Sequence, residues 1–265
     1  MKKYLAVAKI LFKAQIVYRF EVAMTALAAI GTVLFAWILW GAAFNGREFI
    51  GGYTFQSMLS YYIVSSFISS FDKSNGVSFE VSERIRGGTF SKYMTIPVNP
   101  QLHFLSQNLG ISAYYALFSV LSAVFCALVF GVKLSISTDP IAIMCSFALM
   151  LIGAAFMVCF RFFIGILTFK FQDIGFFIHV QMGLISFLTG SVVPLALLPE
   201  GLLRTLNFLP FIHVIYTPVA LITGQTDAAR GLLGLLILSG WMAVMLVINQ
   251  KVYNRLRVKF DGVGV

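Results

Sequence analysis

The chain has 265 residues, of which 59% are hydrophobic and 11% charged, with 19 Lys and Arg against 10 Asp and Glu and a formal charge of +9. A water-soluble domain of this length has no use for so much apolar surface, which excludes a soluble enzyme; on so apolar a chain the basic excess holds loops at one membrane surface rather than binding nucleic acid. The apolar runs are long and continuous rather than alternating, so closed barrels are excluded too, and the fold class is an all-α polytopic membrane protein.

Residues 1–21 read as an interfacial helix on the inner membrane surface, with anionic lipid as its partner. At 100° per residue Lys2, Lys9 and Lys13 share one face, opposite Tyr4, Val7, Leu11, Ala14 and Tyr18. Leu5, Ile16 and Phe20 fall on the basic side, so a plain basic flank to the first crossing is an equal reading. Lys13, Arg19 and Glu21 interrupt this stretch and argue against a cleavable signal.

Six stretches reach the ~20 residues that a helical crossing needs. They are residues 22–44, 53–71, 104–132, 140–168, 174–193 and 231–250. Trp37 and Trp40 read as interfacial anchors of the first. In the second, Tyr62, Ser65, Ser66 and Ser69 share one face; in the fifth, His179, Gly183, Ser186 and Gly190 form a small, partly polar stripe. Both stripes suit helix packing or a polar lining. Arg161 lies inside the fourth stretch, as a functional charge or as an arginine snorkelling to the inner interface. The three cysteines, Cys126, Cys145 and Cys159, fall inside spans and match no metal motif, and His103, His179 and His213 are scattered. Trp241 sits in the middle of the sixth stretch with no evident reason.

With the N-terminus inside, six crossings put fourteen basic residues on the cytoplasmic side: Lys2, Lys3, Lys9, Lys13, Arg19, Lys73, Arg84, Arg86, Lys92, Lys170, Lys251, Arg255, Arg257 and Lys259. Outside are four, Arg47, Lys133, Arg204 and Arg230. That asymmetry predicts both termini inside. Residues 204–224 compete for a seventh crossing, but Asn207, Pro210, His213 and Pro218 interrupt them, and a seventh span would turn the basic tail outward. Residues 194–230 therefore read as an external re-entrant pair of short helices.

The longest inner loop is 72–103. Its residues 77–86 suit a short helix ended by Gly87 and Gly88, and Thr89 suits the cap of a second, over 90–95, stopped by Ile-Pro-Val-Asn-Pro. Two such helices make a compact projection with Phe90, Tyr93 and Met94 as an apolar tip, where substitution would spare the fold. An ordinary solvated loop is the other reading of the same composition.

The stretch ERIRGGTFSKYMTIPVNP resembles the segment of bacterial ABC-type exporter permeases that carries an acidic residue, a basic-Gly pair, a short coupling helix and a closing proline. The stretch VVPLALLPEGLLRTLNFLPFIHVIYTPVALITG resembles the external hairpin of the same permeases, the type-2 ABC permeases of the type V exporter fold. The resemblance implies half of a permease dimer in a bacterial plasma membrane, paired with itself or a similar subunit. It implies two ATP-binding cassette subunits beneath. The chain has no G-x-x-x-x-G-K-[ST], so ATP and Mg are expected on those subunits and no cofactor on this chain. By carry-over, Glu83, Arg84, Arg86, Gly87, Thr89, Phe90, Tyr93 and Met94 contact the ATPase. The second and fifth spans would line the substrate path or the dimer seam, for a hydrophobic or amphiphilic cargo. A lipid-modifying membrane enzyme and an assembly protein are the alternatives.

Overall fold

The computed structural model describes residues 2–96 and 98–257; Pro97 of the loop and Lys259 of the tail lie outside the described residues. Regular structure among the described residues is helical.

The first helix, α1 (Lys2–Ala14), stops at Ala14 rather than running to residue 21. Hydrogen-bonded turns through Gln15–Tyr18 then lead into α2 (Arg19–Phe44). α1 is docked on protein. It lies along α6 (Pro100–Val129), where a Cβ on Gly110 would overlap the Ala8 carbonyl, and Phe12 sets its ring edge against Tyr114 at 5.5 Å.

The second stretch forms α3 (Phe55–Phe71), started by a reciprocal cap between Thr54 and Ser57. It has 17 residues and packs among α2, α6 and α10 (Tyr216–Ile222). Met58, Leu59, Tyr61 and Ile63 are almost inaccessible. A helix wrapped by protein has no lipid to satisfy, which is why α3 can carry serines and tyrosines that a lipid-facing helix would exclude.

Among the described residues four helices are long and apolar enough to cross a membrane: α2, α6, α7 (Pro140–Ile166, extended by a 3-10 turn to Phe169) and α11 (Ala228–Leu256). Side-chain oxygens cap three of them, Asn99 on α6, Asp139 on α7 and Asp227 on α11, and proline follows the first two caps. The fifth stretch falls short. Its helix α8 (Gly175–Leu188) has 14 residues, about 21 Å at 1.5 Å per residue against a ~30 Å hydrocarbon core. Gly190 ends it with φ +77°, a turn that side-chain-bearing residues resist.

α7 is the hub. It packs on α11, on α4 (Val77–Arg86) and on α10, with Leu149, Met157, Phe162 and Ile166 buried. The region after α8 folds into two short helices, α9 (Glu200–Leu206) and α10, whose segments meet at 85°. The buried His213 ring ties the bend together: Nδ1 lies 3.0 Å from Thr217 Oγ1 and Nε2 lies 3.0 Å from the Asn207 carbonyl. Trp241 finds its reason here, because its Nε1 donates to the Phe208 carbonyl at 2.9 Å. Of the two tryptophans in α2, only Trp37 suits an exposed anchor; Trp40 is buried beside Phe44. All three cysteines are buried and free.

Candidate functional site

α4 spans the residues expected of the first loop helix, and Gly87 and Gly88 end it. Gly87 N–H donates to the Glu83 carbonyl at 2.8 Å, and Gly88 turns the chain at φ +70°. The helix lies on the end of α7. A Cβ on Gly165 would stand 2.6 Å from the Val81 Cβ, so glycine alone permits that closeness. Thr168 Oγ1 donates to Ser82 Oγ at 2.9 Å across the same contact.

The second loop helix differs from the expectation. It is a 3-10 turn (Thr89–Ser91) followed by one α turn, α5 (Lys92–Thr95). Thr89 does not cap it; its hydroxyl faces back to the Arg84 carbonyl at 3.4 Å. The aromatic tip is also corrected. Phe90 is 0% exposed and Tyr93 6%, packed with Phe104 of α6, Phe162 of α7 and Tyr253 of α11. Rings on a single helical turn gain more by burial against three long helices than by facing water. The outward face is left to Glu83, Arg86, Gly87, Thr89 and Met94. Arg84 is half-buried and held within the chain, with Nη2 2.7 Å from Glu80 Oε1, while Glu80 Oε2 accepts from Gln107 Nε2 of α6 at 2.9 Å.

Tyr62, Ser65, Ser66 and Ser69 come together. All four line a groove of about 1100 Å³ between α3 and α2, closed at one end by Ser191–Val193 and at the other by Asp72–Gly76. The Tyr62 hydroxyl donates to the Val192 carbonyl at 2.9 Å. The opposite wall, which the sequence reading missed, is one face of α2 running through Glu21, Thr25, Ala28, Thr32, Phe35 and Leu39. The signal was present: Thr25 and Thr32, the two hydroxyl-bearing residues of 22–44, stand seven apart and so share one helical face.

His179, Gly183, Ser186 and Gly190 do not line this groove; the first three share one face of α8, and Gly190 lies beyond its end. Gly190 is a buried turn whose carbonyl accepts from the Tyr61 hydroxyl at 2.6 Å. His179 sets its ring against Phe79 at 5.7 Å, and the Ser186 hydroxyl donates back to the Met182 carbonyl at 2.9 Å. A Cβ on Gly183 would meet nothing within 4 Å, on a face that also exposes Phe176, Phe177 and Leu184.

Arg161 does not snorkel. It is 4% exposed and turns toward Asp72, at the end of α3, with Nη2 3.8 Å from Oδ2. An inward arginine gains a carboxylate there, and so ties the end of α3 to α7.

No curated protein matches the chain. A family model described as ABC-2 family transporter protein matches residues 27–264, which takes in the α4–α5 projection, the hairpin and the groove's lining from Ala28 onward, but not Glu21 or Thr25. That extent sets aside the enzyme reading: the chain belongs to the ABC-2 transporter family, as a multi-pass membrane subunit of the transport machinery.

Proposed function

We propose that this chain is the permease of an ATP-driven exporter, one of two permease subunits standing on two separate ATP-binding cassette subunits. In this reading all six apolar stretches cross or enter a bacterial plasma membrane. α3 is sheltered by neighbouring helices, α8 is completed by the second permease subunit, α9 and α10 re-enter from outside, and both termini are cytoplasmic. ATP and Mg belong to the cassette subunits.

One observation carries the reading: α4 is locked onto α7 by the Gly165 contact and the Thr168–Ser82 hydrogen bond. The projection cannot tilt without moving α7, and α7 carries α10 and α11 with it. A push on the exposed Glu83, Arg86, Thr89 and Met94 therefore passes to the helices as a rigid-body motion, the kind of two-state switch that alternating access requires. Arg84, Phe90 and Tyr93 serve that transfer from inside the projection. The groove between α2 and α3 mixes hydroxyls with apolar walls, which suits an amphiphilic cargo. The open face of α8 is where the second permease subunit would seat, with Gly183 allowing a close approach.

The test is to tag the chain, extract it in a mild detergent and ask what accompanies it. An ATP-hydrolysing protein of the cassette class is expected, along with ATP-dependent export in vesicles that hold both. A chain that emerges alone from every mild extraction overturns the reading. Cysteines at Thr89 and Glu200 check the orientation, the first labelled only from the cytoplasm and the second only from outside.

A further inference from the structure

The groove is not uniform along its length. From Glu21 to Leu39 on α2 is about 27 Å at 1.5 Å per residue. Charges occupy only one end, where Glu21, Asp72 and Lys73 face it; the other end is lined by Phe35, Leu39, Val192 and Val193. Hydroxyls fill the stretch between, from Ser66 and Ser69 on α3 and from Thr25 and Thr32 on α2. A cavity graded in this way fits a molecule with a charged head and an apolar tail, and it fixes which end goes where.

The charged end is more specific than that. Asp72 is already committed, one oxygen accepting from the Ser74 N–H at 3.0 Å and the other facing Arg161 at 3.8 Å. Glu21 and Lys73 are not: among the described residues neither has an opposite charge within 4.0 Å. Tyr115 separates them. The Lys73 ammonium sits over its ring, 3.8 Å from the centroid, and Glu21 lies beside its hydroxyl. Burial weakens the hold of Lys73 on its proton, and the nearby Glu21 and Asp72 work against that loss. Two opposite charges held in one groove end, and kept apart by a ring, leave a place for a group that carries both signs.

Resting on the exporter reading, we propose that the groove takes an amphiphile with a zwitterionic head group, its anionic centre on Lys73, its cationic centre on Glu21 and the Tyr115 face, and its tail along Phe35 and Leu39. A singly charged head meets one of the two side chains and leaves the other without an opposite charge, and that lost contact is what makes the site selective.

The test needs no ATPase, so its failure would leave the exporter reading standing. The full-length chain in a neutral sugar detergent is titrated with dodecylphosphocholine, dodecyl methyl phosphate and dodecyltrimethylammonium, and binding is read by native mass spectrometry. The zwitterion is expected to bind about tenfold tighter than either singly charged probe, the worth of one charge-assisted contact. Lys73→Met should weaken the zwitterion and the anion about tenfold and spare the cation. Glu21→Gln should weaken the zwitterion and the cation and spare the anion, and Lys73→Arg should restore binding. Unchanged melting of each variant keeps the comparison valid, and any variant that melts early is replaced by Thr32→Leu, which should block all three probes by filling the tail path. Equal binding of the three probes, or indifference to both charge variants, overturns the proposal. The source is read in the same experiment. A zwitterionic phospholipid that co-purifies with the wild-type chain and is lost from both variants identifies a membrane lipid, whereas probe binding without such a lipid identifies a soluble amphiphile.

Discussion

Two short helices hang on the ends of this bundle, α4 and α8, and they are attached in opposite ways. α4 is pressed onto α7 so closely that Gly165 can carry no side chain, and the α5 turn beyond it is fixed by Phe90 beneath three long helices. α8 has its own glycine, Gly183, with nothing within 4 Å of the position a Cβ would take, and much of its surface is bare phenylalanine and leucine. A small residue in an apolar helix marks a close approach only where something approaches. At α4 the approach is made within the chain; at α8 it is left open, where the proposed second subunit would bring it.

The strongest way to break this contrast is to strike the closed contact at its most buried point. Phe90→Asp removes a fully buried ring and puts a carboxylate in its place. Truncation of a buried phenylalanine typically costs about 3–5 kcal/mol, and the buried charge adds to it. The expected result is a chain that inserts but melts far earlier in detergent, with residues 77–96 open to protease. Normal melting would show that the projection stands free of α6, α7 and α11.

Next in size is Gly165→Leu. The new side chain would overlap Val81 and approach the Ser78 carbonyl, so α4 must lift from α7. Overpacking of this kind typically costs about 1–3 kcal/mol. Melting should fall modestly, while ATP-driven transport should fall severely because the projection no longer moves α7. Transport at the wild-type rate would mean that force enters the bundle by another route.

The contrast also separates what was legible in the sequence from what was not. Local punctuation was legible: Gly87 and Gly88 end α4 where the chain says they should, and the order of apolar stretches placed the ends of the long helices within six residues. What failed needed distant partners. Phe90 and Tyr93 read as a surface tip because one helical turn has no periodicity, and Tyr253, which covers Phe90, comes from the far end of the chain. Arg161 read either as a functional charge or as a snorkelling one because its carboxylate, Asp72, sits beyond a different helix. Gly190 fell into step with the α8 stripe by spacing, yet its positive φ makes it the turn that ends that helix. The α2 wall of the groove went unseen because that stretch was read for its hydrophobicity alone, and a wall is defined by the helix across from it.

On the open side, Gly183→Leu tests whether α8 is truly unpartnered within one chain. The isolated subunit should melt within about 0.5 kcal/mol of wild type, the usual range for a side chain added to free surface. Association between permease subunits should be lost if they meet on this face, as read by cross-linking in native membranes. Loss of stability in the single subunit would show that α8 packs inward and would erase the contrast. Retained association would move the seam elsewhere on the surface.

The smallest effect on stability should come from Arg86→Glu, and it sharpens the contrast from the other direction. Arg86 stands on the outward face of the same projection whose inward face is closed. Its guanidinium has no carboxylate within 4.0 Å among the described residues, so removing it breaks no ion pair there. Melting should stay within about 0.5 kcal/mol of wild type. Yet the charge reversal falls where the cassette subunit is proposed to press, and like charges brought together across an interface repel. Capture of that subunit should weaken, more so at low salt than at high, because exposed charges are screened over about 10 Å at 0.1 M. Transport should fall in proportion to the lost association, and raising the cassette subunit's concentration should restore it. A variant that captures its partner normally at every salt concentration would place the docking surface away from Arg86. It would leave α4 as a brace on α7 rather than the point at which force enters.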